Sequence, residues 1–170
     1  MSGQKFAEKN EEIKYDFDIK NTSNIELNNF TWTAYIPYED CKVTKMITGI
    51  YNTDINYSIY YKTNQNDCRL FKNVNSLQTE YLNFDELCLS PKEIITEIKV
   101  EYKTVVKDFE SIAKPAIFVR LDNDLKKDYM IINNTSLNGN LEEYAVRDSS
   151  KFETIIKQKE IVKKLPKTGC

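Results

Sequence analysis

The residues that could do chemistry in this chain have no histidine to act with them. The 170-residue sequence contains no histidine, which excludes Ser-His-Asp and Cys-His catalytic pairs and zinc sites with histidine ligands within the chain. The carboxylate pairs Asp85-Glu86 and Glu142-Glu143 have the residue type for general acid–base catalysis, but no feature of the sequence places them in a cleft. The charged outer faces of strands account for them more simply. We therefore expect no catalytic residue and no cofactor.

Two further groups of residues have metal-binding or redox character. Asp122, Asp124 and Asp128 could offer oxygen ligands to calcium, but they lack the spacing and the glycine of a known calcium loop, so we expect an acidic turn without metal. The four cysteines are Cys41, Cys68, Cys88 and Cys170. No C-x-x-C spacing occurs among them, which argues against zinc and redox sites. If the protein is exported, one disulfide could join two of the first three, in a pairing that the sequence does not indicate; buried thiols are the alternative.

The most distinctive stretch is the last one, Leu165-Pro166-Lys167-Thr168-Gly169-Cys170. Pro166 fixes its own φ and favours an extended Leu165, so this stretch cannot continue a helix. Gly169 leaves the peptide bond after Thr168 without a neighbouring side chain. In its form L-P-x-T-G, the stretch resembles the sorting signal through which sortase attaches proteins to Gram-positive cell walls. The resemblance implies that sortase cuts between Thr168 and Gly169, joins Thr168 to an amine of the wall, and recognises Leu165, Pro166, Lys167, Thr168 and Gly169.

In that family a signal peptide stands at the other end of the protein, and a hydrophobic span follows the motif. Residues 1–5 contain no apolar signal-peptide core, and no run in the sequence approaches the ~18 apolar residues that span a bilayer. We therefore expect this chain to be a fragment of a wall-anchored protein. The resemblance implies a location on the outer surface of a Gram-positive bacterium, with sortase and peptidoglycan as partners.

The elements that would position these residues are predominantly strands. Aromatic and aliphatic residues occupy every second position from Phe30 to Ile36, and charged residues alternate with apolar ones over residues 94–102. Helical periodicity is not sustained anywhere, although a single helical turn is predicted over residues 108–113. The last strand is predicted over residues 152–157. Short strand patterns separated by turn signals predict an all-β fold: an antiparallel β-sandwich of the Ig-like or surface-repeat type, with at most one or two short helical turns.

The opening of the predicted sandwich carries a second resemblance. Its motifs are Ile19-Lys20-Asn21-Thr22-Ser23-Asn24, then Leu27-x-Asn29-Phe30-Thr31-Trp32, then Ile36-Pro37. They are similar to the start of a conserved repeat domain of bacterial surface proteins, whose members are β-sandwiches strung together as stalks and adhesins; Ala34 departs from the Asp usual in that family. Over more of its length the chain resembles the membrane-proximal modules of clostridial wall-anchored proteins.

Some sandwich domains of Gram-positive surface proteins form a Lys–Asn isopeptide bond. Lys20 with Asn133 or Asn134 is the candidate pair here. Because Lys20 lies on the polar phase of its strand, its amine is expected to be solvated, and a surface lysine with a turn asparagine is the simpler interpretation.

Three segments are expected along the chain: a polar lead-in linker over residues 1–13, a β-sandwich domain over residues 14–158, and a charged spacer with the LPKTG signal over residues 159–170. The net charge of −2, with both signs mixed along the chain, argues against a nucleic-acid partner.

We predict a non-catalytic structural or adhesive module, attached to the wall through Thr168 and facing a glycan or protein of a host or cell surface. One alternative is a carbohydrate-binding module of a larger surface enzyme, in which exposed tyrosines form a sugar-stacking platform. The candidates for that platform are Tyr35, Tyr38, Tyr60 and Tyr61. The other alternative is an intracellular β-rich protein whose L-P-x-T-G match is accidental.

Overall fold

The computed structural model of the chain describes residues 1–157. Within this range the chain forms fourteen strands and one 3-10 helix (Phe84–Leu87). The strands are β1 (Ser2–Gly3), β2 (Phe6–Glu8), β3 (Glu12–Asp16), β4 (Leu27–Tyr35), β5 (Cys41–Ile47), β6 (Ile50–Tyr51), β7 (Asn56–Thr63), β8 (Arg69–Asn75), β9 (Tyr81–Asn83), β10 (Ile95–Val105), β11 (Ser111–Ala113), β12 (Ala116–Leu121), β13 (Met130–Leu141) and β14 (Tyr144–Lys157).

The strands build two main sheets and one small one. The first sheet has the order β1-β3-β12-β5-β9, and the second has the order β2-β14-β13-β4-β10-β7-β8. Strands β11 and β6 form a separate pair. Neighbouring strands are antiparallel, apart from the short parallel contact between β2 and β14. The sheets pack as a sandwich, so the all-β fold predicted from the sequence is confirmed.

The alternating sequence of β10 shows why these residues form a half-buried strand. Ile98, Val100 and Tyr102 are buried in the core, while the charged residues between them lie on the outer face. On that face Lys99 and Glu101 form an ion pair of 2.6 Å. One face therefore gains apolar burial, and the other remains hydrated, as in other antiparallel sandwiches.

Aromatic rings fill much of the space between the sheets. Trp32 on β4 is 1% exposed, and the ring of Phe17 lies 4.6 Å from it. Near β6, Tyr51 stacks on Phe109 with ring centroids 5.0 Å apart, and its hydroxyl lies 2.5 Å from that of Tyr102. Each large buried side chain contributes roughly 1.5–3 kcal/mol of hydrophobic stabilisation.

The N-terminal segment is part of the sandwich. The sequence predicts a linker over residues 1–13, whereas the structure places β1 against β3 and β2 against β14, with Ala7 buried. Strands of two or three residues are too short to show a period. The strand that pairs with β2 is distant in sequence, and Ile155 donates its N–H to the carbonyl of Lys5 at 2.9 Å.

Two other local predictions differ from the structure. The helical turn predicted over residues 108–113 is instead a tight turn followed by β11, with Asp108 at φ 59°. The last strand, predicted to begin at Phe152, begins at Tyr144, because residues 144–151 pair with β13 in a long hairpin. The first eight residues of that strand are exposed, so no burial pattern in the sequence marks them.

Candidate functional site

The last described strand leads toward the sorting motif. β14 ends at Lys157, whose Nζ lies 3.7 Å from Asp128 Oδ1 and 4.8 Å from the ring centroid of Phe6. These contacts tie the end of β14 to its neighbours. The predicted sortase-recognition residues lie outside the described residues: Leu165, Pro166, Lys167, Thr168 and Gly169.

The residues considered for an isopeptide bond have different surroundings. Lys20 is half exposed and forms an ion pair of 3.0 Å with Glu110, whose hydrogen bond raises the pKa of the Lys20 amine and keeps it protonated. Asn133 is fully buried on β13, and its side-chain amide has no hydrogen-bond partner among the described residues. Asn134 is exposed. A protonated surface amine is unsuited to attack a buried amide.

The three aspartates considered for calcium do not lie together: Asp122 lies near Asp124, whereas Asp128 has a different neighbour. Burial, together with the carboxylates of Asp124 and Asp40, raises the pKa of Asp122. Asp128 instead faces Lys157. In the part of the chain that the structure describes, no three His, Cys, Asp or Glu side chains converge as a metal site.

Three cysteines lie within the described range, and each is a free thiol. Cys41 is buried and its Sγ donates to the carbonyl of Pro37 at 3.4 Å, whereas Cys68 and Cys88 are exposed. Burial is the main cause of the strongly raised pKa of Cys41. The alternative of a buried thiol thus describes Cys41.

The predicted tyrosine platform is not assembled. Tyr61 is buried in the core, with its ring 6.1 Å from that of Phe71. Tyr35 on β4 and Tyr60 on β7 are separated by β10, and Tyr38 lies in the loop after β4. Alternation places Tyr60 and Tyr61 on opposite faces of their strand, so they cannot share a flat surface.

The carboxylate pairs also lie at the surface. Glu142 and Glu143 form the turn between β13 and β14, and both are exposed. Asp85 lies in the 3-10 helix, 3.7 Å from the amine of Lys42.

That contact belongs to a polar groove on the outer face of the five-stranded sheet, which we call the Glu12 groove. Its cavity volume is about 720 Å³, within the ~300–1,000 Å³ range of small-molecule sites. The register aligns Glu12, Arg120 and Lys42 across three neighbouring strands. The residues that line the groove include Glu12, Lys42, Lys45, Tyr81, Asp85 and Arg120.

Glu12 contacts three polar side chains in the Glu12 groove. Its carboxylate accepts hydrogen bonds from Thr44 Oγ1 at 2.7 Å and Lys45 Nζ at 3.0 Å, and Arg120 lies 3.8 Å away. The bonds from Thr44 and Lys45 are the largest causes of the lowered pKa of Glu12. Glu12 is therefore an ionised acceptor at neutral pH, fixed on the rigid sheet rather than on a loop.

An exposed aromatic ring stands at one side of the Glu12 groove. Tyr81 begins β9, an edge strand of this sheet, and is 76% exposed. Asn83 follows on the same face and pairs in register with Lys45. Sequence reasoning missed this groove, because its residues come from distant strands and each looks like an ordinary solvated position. The only available signal was the polar outward phase of those strands.

No known protein family model matches this chain, and no curated protein resembles it significantly. Among the described residues, no helix is both long enough and apolar enough to cross a bilayer.

Proposed function

We propose that this chain is a non-catalytic structural or adhesive module of a Gram-positive surface protein, joined to the cell wall through Thr168. The observation that carries the proposal is the sequence Leu165-Pro166-Lys167-Thr168-Gly169, which follows a β-sandwich domain. In the sequence, residues 158–164 lie between Lys157, the last described residue of β14, and this motif.

The proposed reaction exchanges one amide for another. Sortase breaks the amide between Thr168 and Gly169, and the chain after Thr168 leaves with a new amino terminus. An amine of the wall peptide then forms an amide with the Thr168 carboxyl group. Because one peptide-type bond is lost and one is formed, the exchange needs no external energy source. The module itself supplies only the substrate sequence and no catalytic group.

A transpeptidation assay tests this proposal. We expect purified chain incubated with sortase and triglycine to yield residues 1–168 joined to the probe, detected by intact mass spectrometry. The variant Thr168→Ala should give no product, since it alters the recognised residue beside the cleaved bond. Lys167→Ala is the matched control, because position 167 is the variable one in L-P-x-T-G, and it should react like the parent chain.

Failure to react with several sortase classes would count decisively against wall attachment. Equal product from the parent chain and Thr168→Ala would show that cleavage does not follow the motif. Isolated peptidoglycan offers a second readout: sortase should transfer the parent chain, but not Thr168→Ala, into a form that washing with denaturant does not release.

A further inference from the structure

We propose that the Glu12 groove is a binding site for a neutral glycan chain. This inference is independent of wall attachment, because the residues lining the groove lie between positions 10 and 123. It assigns a ligand class to a surface that the sorting motif does not involve.

Positive and negative charges are balanced along the Glu12 groove. Its lining carries as many carboxylates as cations: Glu12, Asp85 and Asp122 against Lys42, Lys45 and Arg120. A phosphate or sulfate would approach carboxylates as closely as cations, and a basic peptide would meet the cationic side chains. A neutral ligand avoids both penalties.

Hydrogen-bond donors and acceptors lie side by side in the Glu12 groove, with two cations between two carboxylates. Across the sheet, the carboxylate of Glu12 is followed by Arg120, then by Lys42, then by Asp85. A sugar hydroxyl donates one hydrogen bond and accepts others, so neighbouring hydroxyls can bridge a carboxylate and a cation at once. Hydrogen bonds with one charged partner are also stronger than neutral ones.

The exposed ring of Tyr81 lines the same groove. A phenol ring offers an apolar face with a polar hydroxyl, and this suits the carbon–hydrogen face of a pyranose. Within residues 1–157 no strand pairs with the outer edge of β9, so Tyr81 stands at a free side of the sheet. An exposed aromatic beside a row of polar groups matches the mixed surface of a sugar.

The groove residues are held in position before a ligand binds. The groove residues of β3, β5, β9 and β12 are held by the hydrogen-bonded sheet. Thr44 and Lys45 hold Glu12 in place before any ligand arrives. A site built on strands loses less conformational entropy on binding than one built on loops. The groove is also partly open to solvent rather than enclosed.

The test is an NMR titration in which defined oligosaccharides are added to the isotope-labelled parent chain and the amide chemical shifts are recorded. The neutral probes are tetramers of β-1,4-glucose, β-1,4-N-acetylglucosamine and α-mannose, and the acidic probe is a sialylated trisaccharide. We expect at least one neutral probe to bind saturably and to shift amides of the Glu12 groove. Tyr81→Ala and Arg120→Ala should each weaken that binding by roughly tenfold.

Tyr144→Ala is the matched control, since Tyr144 is similarly exposed, at 72%, but lies on the β13–β14 hairpin. Its affinity should equal that of the parent chain. Absence of binding to every neutral probe at millimolar concentration would overturn the proposal. Shifts that map elsewhere, preference for the acidic probe, or unchanged affinity in Tyr81→Ala would also overturn it. All variants should remain sortase substrates, so a failure of glycan binding is distinct from a failure of wall attachment.

Discussion

Asn21 should be among the most stability-sensitive polar residues of the described chain. It is 1% exposed, and its side-chain amide donates to the carbonyl oxygens of Ile25 at 3.0 Å and Val106 at 2.9 Å. Its side-chain oxygen accepts from both the N–H and the hydroxyl of Ser23, at 2.9 and 2.6 Å. One buried side chain therefore ties the turn before β4 to the segment that follows β10.

The expected cost of Asn21→Ala follows from these four bonds. The partners on Ser23 can turn to water, because Ser23 is only partly buried. The two carbonyl oxygens lose a donor in a part-buried place, at about 1–1.5 kcal/mol each. Adding a few tenths of a kcal/mol for the loosened turn, we expect a loss of about 3 kcal/mol in the free energy of unfolding. For a chain of this length that corresponds to a Tm lower by roughly 6–12 °C.

Asn21→Asp tests the reasoning further. The carboxylate keeps the shape and the acceptor role toward Ser23, but it replaces the donor with an oxygen facing the carbonyls of Ile25 and Val106. We expect a loss at neutral pH at least as large as that of Asn21→Ala. Part of this loss should be recovered in acid, where the protonated carboxyl can again donate to one carbonyl.

Urea unfolding followed by the fluorescence of Trp32, the single tryptophan, gives the free energies directly. Asn24→Ala is the control, because Asn24 is an exposed neighbour in the same turn and should change stability by less than about 0.5 kcal/mol. If Asn21→Ala stays within about 1 kcal/mol of the parent chain, the hydrogen bonds of Asn21 do not organise this turn as argued.

Three further outcomes are expected. Tyr51→Phe should cost about 1–2 kcal/mol in urea unfolding, because it leaves the buried hydroxyl of Tyr102 without its partner, and the double change Tyr51→Phe/Tyr102→Phe should cost less than the two single changes added together. Folding lowers the pKa of Glu12, so the stability that this carboxylate contributes is fully present above its unfolded pKa and is lost as pH falls through the lower folded pKa. Glu12→Gln should therefore flatten the acid limb of a plot of urea midpoint against pH. An unchanged slope would contradict the hydrogen bonds of the ionised carboxylate in the groove. N-ethylmaleimide labelling with peptide mapping should modify Cys88 in the native chain but Cys41 only after unfolding, and equal rates would show that Cys41 is not buried as described.

The fold class could be predicted because it depends on local patterns. Phe30, Trp32 and Ala34 alternate with polar residues, and such a period is compatible with a half-buried strand and not with a helix. Charged residues at every second position of β10 likewise marked one wet face. Each pattern lies within a single strand, so it can be recognised without knowing which strands pair with it.

The short N-terminal strands could not be predicted, because they carry no local pattern. Ala7 is buried only because β14, about 150 residues away in sequence, pairs beside it. Residues 144–151 also look polar and irregular, and pairing with β13 is what makes them a strand. In both places the partner supplies the hydrogen bonds, and the partner is fixed by topology rather than by local propensity.

The sequence by itself determined the all-β class, the phase of β4 and β10 and the presence of L-P-x-T-G, since each depends on the order of a few neighbouring residues. Only the tertiary structure decided that Tyr61 is core while Tyr81 is surface, and that Glu12, Arg120 and Lys42 form one row beside Asp85. That row depends on strands that cross the sheet out of sequence order, in a register set by backbone hydrogen bonds and burial of the opposite face. No pattern within a single strand carries that information.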